Sequence, residues 1–217
     1  MFNKFRTNYA RAKAERSEFL SKVNPFSPAA MVATWFGCGL LLPGPGTWGT
    51  VGGFLSLGLV HLISNFYPWG VGIFLHIFVP YILLPSMTVL LLISGWLATY
   101  IIGKKSGRYD LSPIIIDKIT AVWFLANLMP AIIYSPVWAL SAFLIFRIFD
   151  ICKPWPIKWF NSKIKGARGV MFDDLFVALY CYIIIVFSLA TYANFFEDRG
   201  CTDLKNCPDI IIYSDPH

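Results

Sequence analysis

Long apolar runs without a single charged side chain dominate this sequence. Between Lys22 and Lys104 there is no Asp, Glu, Lys or Arg, and two further uncharged runs occupy residues 119–146 and 175–196. A helix needs about 20 apolar residues to cross the hydrocarbon core of a bilayer, so these runs are long enough for several spans. The pattern predicts an all-α integral membrane protein, built as a helical bundle.

We expect about five membrane spans, separated by Pro, Gly and polar residues. The range 71–102 contains Pro80 and Pro85 and could hold one long kinked span or two short ones. The five predicted spans lie at about residues 50–64, 71–102, 113–134, 136–149 and 170–196.

The residues ahead of the first span predict a different kind of element. Residues 28–42 are apolar but short for a span, and they lead into PGPGTWGT at 43–50. This concentration of Pro and Gly favours a non-helical backbone. Irregular backbone at membrane depth has to be covered by protein or water, so residues 28–50 predict a re-entrant or interfacial element.

The charged residues predict the orientation of the chain. Basic side chains outnumber acidic ones in 1–26, 103–112 and 150–168, and such segments stay in the cytoplasm. The tail after Phe196 is acidic. We therefore expect three regions: a basic cytoplasmic arm (1–27), a membrane domain (28–196) and an acidic tail (197–217).

Composition narrows the class of protein. Hydrophobic residues make up 57% of the chain and charged residues 14%, with a net charge of +6. Soluble domains carry about 25% charged residues, so a soluble enzyme, a disordered protein and a disulfide-stapled secreted domain are excluded. Because the basic segments alternate with spans, we expect them to attract anionic phospholipid and not nucleic acid. The amphipathic segment 154–165 would hold such a lipid at the interface.

Five aspartates fall at or just inside the cytoplasmic ends of predicted spans. Carboxylates near lipid are costly and usually have a functional partner. Clustered carboxylates suit Mg²⁺, which prefers oxygen ligands and keeps water and phosphate in its coordination shell. The alternative is that some of them form ion pairs with Lys118, Arg147 and Lys153. The five are Asp110, Asp117, Asp150, Asp173 and Asp174.

Two short motifs could bind phosphate. In RIFDICKPWP (147–156), Arg147, Asp150 and Lys153 recur every third residue and share one helix face. They suit a metal-bound Asp150 with Arg147 or Lys153 on a phosphate oxygen, or alternatively a structural ion-pair ladder. PGTWGT (45–50) begins a helix, where backbone N–H groups attract anions; a plain turn is the alternative. Its candidate phosphate-binding residues are Gly46, Thr47, Gly49 and Thr50.

Together these motifs resemble the phosphatidylglycerophosphatase A family of bacterial membrane lipid phosphatases. The resemblance covers roughly residues 25–195. It is carried by NP at 24–25, FGCGL at 36–40, PGTWGT at 45–50, Asp110 and Asp117, FRIFDICKPWPIKWF at 146–160 and GVMFDD at 169–174.

The resemblance implies a Mg²⁺-dependent phosphatase that converts phosphatidylglycerophosphate to phosphatidylglycerol. It places the protein in the bacterial inner membrane, with the active site on the cytoplasmic face. Phosphate would be bound by Gly46–Thr50, Arg147, Lys153 and Lys118. The metal ligands would come from the five aspartates, of which Asp117, Asp150, Asp173 and Asp174 would also be catalytic.

One departure from the family pattern concerns Lys118. The family has Asp-Glu where this chain has Asp117-Lys118, so an ammonium replaces a carboxylate. Lys118 could contact phosphate, pair with an Asp and weaken metal binding, or mark a homologue with altered or lost activity that acts as a membrane scaffold. A cation transporter is the third class, although the repeated halves typical of transporters are absent.

Overall fold

The computed structural model describes residues 2–65, 78–152 and 166–199. These residues form helices and no strand, which confirms the all-α fold class. The α-helices are α1 (Phe2–Lys22), α2 (Pro28–Ala33), α3 (Pro45–Asn65), α4 (Leu84–Ser106), α5 (Ile116–Leu128), α6 (Ala131–Tyr134), α7 (Pro136–Cys152) and α8 (Ala167–Arg199); a 3₁₀ turn occupies Cys38–Leu40 and a π-helical turn Val79–Leu83.

Three helices in the described part of the chain are long and apolar enough to cross a membrane. They occupy Pro45–Ile63, Tyr81–Ser106 and Ala167–Tyr192. These ranges correspond to the first, second and fifth predicted spans, which supports a helical membrane protein.

The helices found at the third and fourth predicted spans are shorter than these three. Within 113–134, α5 ends at Leu128 because Pro130 follows and cannot continue the hydrogen-bond ladder, and α6 begins after that proline. The 13 residues of α5 extend only about 20 Å at 1.5 Å per residue. Helix α7, which corresponds to the fourth predicted span, has 17 residues.

Helix α5 is the centre of the core. It is buried on almost every side and packs against both α3 and α4. Glycines allow this close approach: a Cβ at Gly49 of α3 would lie 2.9 Å from Ile115 Cβ, and one at Gly95 of α4 would lie 2.8 Å from Ile116 Cγ1. Small residues at these positions let α3 and α4 pack closely on both sides of the start of α5, where Asp117 and Lys118 lie.

The irregular segment ahead of α3 is shorter than predicted. Trp35, Phe36 and Gly37 have positive φ angles. After the 3₁₀ turn, the backbone stays non-helical only as far as Gly44. Gly46 and Gly49 lie inside α3, because Pro45 occupies the first position of that helix, where its missing N–H costs nothing. The position of this segment relative to a membrane stays a prediction.

The chain divides into two compact units, Met1–Tyr182 and Ile183–His217. All residues discussed below belong to the first unit, and the described part of the second is helical as far as Arg199. Lys153, the segment 154–165 and residues 200–217 of the predicted tail lie outside the described residues.

Candidate active site

The ammonium group of Lys118 lies between two buried carboxylates. Its Nζ is 3.1 Å from Oδ2 of Asp117 and 2.9 Å from Oδ2 of Asp174. The Asp117 and Asp174 side chains are only 6% and 2% exposed, and that of Lys118 is 17% exposed. Buried charges persist only when paired, so the three side chains form one electrostatic unit.

The backbone of α5 holds Asp117 in place. Its Oδ1 accepts a hydrogen bond from the Lys118 backbone N–H at 2.9 Å. The same N–H also donates to the Ile115 carbonyl at 3.1 Å, so Asp117 shares a bifurcated donor in the first turn of the helix. A carboxylate at this end is also favoured by the helix dipole.

A second cation, Arg147 of α7, bridges α7 and α3. Its Nη1 donates to Oδ2 of Asp150 at 2.5 Å, and its Nη2 donates to Oγ1 of Thr47 at 2.9 Å. The predicted shared face of Arg147 and Asp150 is therefore confirmed. The contact with Thr47 connects the two motifs that the sequence treats separately.

Lys118 and Arg147 converge beside the first turn of α3. A Cβ on Gly46 would lie 3.2 Å from Cε of Lys118 and 3.8 Å from Nη1 of Arg147. The charge of Asp150 also acts on Lys118. Two cations meeting at a helix N-terminus favour the binding of an anion with several oxygen atoms.

Only part of the motif predicted to bind phosphate faces the two cations. The backbone N–H groups of Thr47 and Trp48 already donate to the Gly44 carbonyl, at 2.9 and 3.2 Å. Thr50 is fully buried and its hydroxyl donates to the Gly46 carbonyl at 3.1 Å. Gly49 packs on Ile115. Gly46 and Thr47 face the two cations, whereas Gly49 and Thr50 serve helix packing.

The remaining aspartates lie apart from the Lys118 contacts described above. Asp110 is exposed and lines the cavity next to Lys118. Asp173 is buried and precedes Asp174 on α8, where neighbouring side chains point about 100° apart.

A polar cavity of about 330 Å³ opens beside Asp117 and Lys118. Its other walls are the turn 43–46, the loop 110–114 and one face of α1. The contribution of α1, through Asn8 and Arg11, was missed by the sequence analysis. The i, i+4 pair of Arg11 and Glu15 was the only signal in the sequence, and such pairs are common on exposed helices.

The described residues do not fit a magnesium site. Among them, no three His, Cys, Asp or Glu side chains lie close enough together to hold a metal ion. Mg²⁺ needs a near-octahedral set of oxygen ligands at about 2.0–2.1 Å. Here the space between Asp117 and Asp174 is taken by Lys118 Nζ, and Asp150 is paired with Arg147. Lys118 and Arg147 supply two positive charges here, against the three negative charges of Asp117, Asp150 and Asp174.

Comparisons with known proteins agree with the sequence motifs. A family model described as Phosphatidylglycerophosphatase A matches residues 31–189. The Phosphatidylglycerophosphatase A of Haemophilus influenzae is 35% identical over 170 residues, which cover 78% of this chain and 93% of that protein. The protein of the same name from Escherichia coli is 30% identical over 156 residues, covering 71% and 80%. No solved structure is detectably similar to the chain.

Proposed function

The chain belongs to the phosphatidylglycerophosphatase A family, and on that premise we propose that it hydrolyses phosphatidylglycerophosphate to phosphatidylglycerol and inorganic phosphate. The observation that carries this proposal is the convergence of Lys118 and Arg147 beside Gly46. A terminal phosphate is a dianion near neutral pH, and two cations matched to its oxygens give charge-assisted hydrogen bonds.

The contacts of Lys118 leave one hydrogen-bond donor for substrate. An ammonium group has three N–H donors, and two of them are directed to Asp117 and Asp174. The third is available to a phosphate oxygen. The two carboxylates thus orient the ammonium before substrate arrives, and preorganised charge of this kind lowers the barrier to reaction.

Arg147 is the second phosphate ligand in this proposal. Asp150 and Thr47 each accept from a different nitrogen of its guanidinium group, which fixes the plane of the group. Water then attacks phosphorus, the bond from phosphorus to the glycerol oxygen breaks, and that oxygen leaves with a proton as the alcohol. Asp117, Asp150 and Asp174 position the two cations.

The magnesium requirement implied by the family resemblance stays a prediction. We assign no step to a metal, because Lys118 fills the space between the two buried carboxylates. The same contact argues against a cation transporter, because Lys118 Nζ occupies the space between the carboxylates that a transported cation would need. We further propose that the protein lies in the bacterial inner membrane as a multi-pass protein with this site facing the cytoplasm, because the basic segments orient it that way.

Phosphate release by detergent-purified protein tests the proposed function. We expect release from phosphatidylglycerophosphate with equimolar phosphatidylglycerol, and a loss of at least about a hundredfold in kcat/KM for Arg147→Gln, comparable to removal of one transition-state donor. Lys105→Gln, at the exposed end of α4, is the matched control and should behave as wild type. No release by wild type under any condition would favour a scaffold without catalysis.

A further inference from the structure

Helix α1 forms one wall of the cavity at the proposed active site. Asn8, Arg11 and Ala12 line this cavity together with Asp117 and Lys118. The match to the family model begins at residue 31, so α1 lies ahead of the region that the family describes. A helix outside the family match therefore contributes side chains next to the site.

A buried carboxylate fixes α1 at this wall. Glu15 is 5% exposed and accepts hydrogen bonds from both the backbone N–H, at 3.0 Å, and the hydroxyl of Ser112. Burial alone would raise the pKa of Glu15, but the bonds from Ser112 and Arg11 outweigh it and lower that pKa. Phe19 is fully buried further along the same helix. These contacts make α1 a fixed part of the cavity.

Only part of the Arg11 guanidinium group is hydrogen-bonded within the described residues. Its Nε donates to Oε1 of Glu15 at 2.9 Å, and in the described part of the chain its two terminal nitrogens make no recorded hydrogen bond. The side chain is 68% exposed and borders the cavity. The terminal nitrogens of its guanidinium group can therefore bind an anion in the cavity while Nε stays hydrogen-bonded to Glu15.

The substrate offers a second anion for this group. Phosphatidylglycerophosphate carries a terminal phosphate and, one glycerol away, a phosphodiester. We propose that Arg11 binds the phosphodiester while Lys118 and Arg147 bind the terminal phosphate. This inference rests on the proposed function.

The charges around the cavity favour this assignment of the two phosphates. Asp110 lies on the same wall, and its charge acts on Arg11. A phosphodiester carries one negative charge, whereas the terminal phosphate carries close to two. Lys118 and Arg147 offer the donors of two cations to the terminal phosphate, whereas Arg11 offers those of one cation to the singly charged diester. A cavity of about 330 Å³ is within the range that holds small polar groups.

Competition by soluble headgroups tests the role of Arg11. Glycerol 3-phosphate carries only a terminal phosphate, whereas deacylated substrate, glycerophosphoglycerophosphate, carries both phosphates. Inhibition constants for the two are measured against the lipid substrate in detergent. Wild type should bind the deacylated substrate more tightly, and Arg11→Gln should weaken the binding of that compound about twofold to fivefold while changing the binding of glycerol 3-phosphate less. The KM for the lipid should rise with little change in kcat.

Arg6→Gln provides the matched control, because Arg6 lies on α1 but does not line the cavity. It should leave both inhibition constants unchanged. The assignment would be overturned if the two compounds inhibited wild type equally. It would also be overturned if Arg11→Gln raised both inhibition constants by the same factor. An Arg11→Gln effect on the lipid alone would show that Arg11 acts through the membrane surface, which also overturns it. Absence of phosphate release by wild type would count against the proposed function itself.

Discussion

The ammonium nitrogen of Lys118 lies 2.9 Å from a carboxylate oxygen of Asp174, a residue 56 positions further along the chain. This contact connects the start of α5 with the first turns of α8 inside the core. Because Lys118 also contacts Asp117, one cation is shared by two buried carboxylates from different helices.

Removing the Lys118 ammonium should destabilise the protein as well as inactivate it. Lys118→Met leaves two buried carboxylates facing one another without a cation, and loss of one partner from a buried pair costs about 3–5 kcal/mol. Thermal unfolding in detergent should show a lower Tm. The double variant Lys118→Met, Asp174→Asn should recover part of that loss in Tm but no activity. A Tm for Lys118→Met equal to that of wild type would show that the pair does not stabilise the fold.

The response to divalent cations should depend on residue 118. With Lys118 in place, we expect phosphatase activity to persist in EDTA, whereas the family resemblance predicts that it is lost. Lys118→Glu removes the ammonium and adds a third oxygen ligand near Asp117 and Asp174, so its activity should require added Mg²⁺. Phosphate release across a Mg²⁺ titration checks both proteins. Complete loss of wild-type activity in EDTA, restored by Mg²⁺, would support the expectation from the family.

A methyl group at Gly46 should disturb Lys118. The added Cβ would lie 3.2 Å from Lys118 Cε, so the lysine must shift by a few tenths of an ångström. We expect Gly46→Ala to lower kcat/KM about tenfold, since a misplacement of about 1 Å can cost about a hundredfold. Gly58→Ala on the same helix meets nothing within 4 Å and should leave activity unchanged. Equal activity of both variants would show that Lys118 tolerates the shift.

The attachment of α1 should weaken in acid. The pKa of Glu15 is lowered in the folded protein, so unfolding takes up protons, and the stabilisation is present above the ordinary glutamate pKa. It is lost as the pH falls through the lowered pKa of Glu15. Limited proteolysis at the basic residues of α1 should therefore accelerate in wild type as the pH falls below about 4.5. Glu15→Gln should already be cleaved rapidly at neutral pH, and a constant ratio of the two rates at every pH would contradict this.

Local patterns allowed much of the fold to be predicted. Uncharged runs identified the long helices, and the three-residue spacing of Arg147 and Asp150 placed them on one helix face, where an ion pair was the alternative to a metal-bound Asp150. Both features depend on residues close together in the sequence.

Contacts between distant segments could not be predicted in the same way. Glu15 and Ser112 are 97 positions apart, and no periodic signal in the sequence joins them. The buried hydroxyl of Thr50 depends on how α3 packs, and tertiary packing decides which face of a glycine-rich helix meets the core. For that reason the sequence indicated a candidate motif at 45–50 but not which of its residues face Lys118 and Arg147.

The chain positions of Asp117, Lys118 and Asp174 determine the order in which this set of charges is completed during synthesis. Ribosomes release the N-terminal residues first, so Asp117 and Lys118 reach the membrane before α8 exists. At that stage the adjacent acid and base neutralise each other, and α5 can enter the membrane without a net charge in its first turn. Asp174 arrives with α8 and completes the set of charges. A nascent chain that stops before α8 is thus electrically balanced but lacks the residue that finishes the proposed active site.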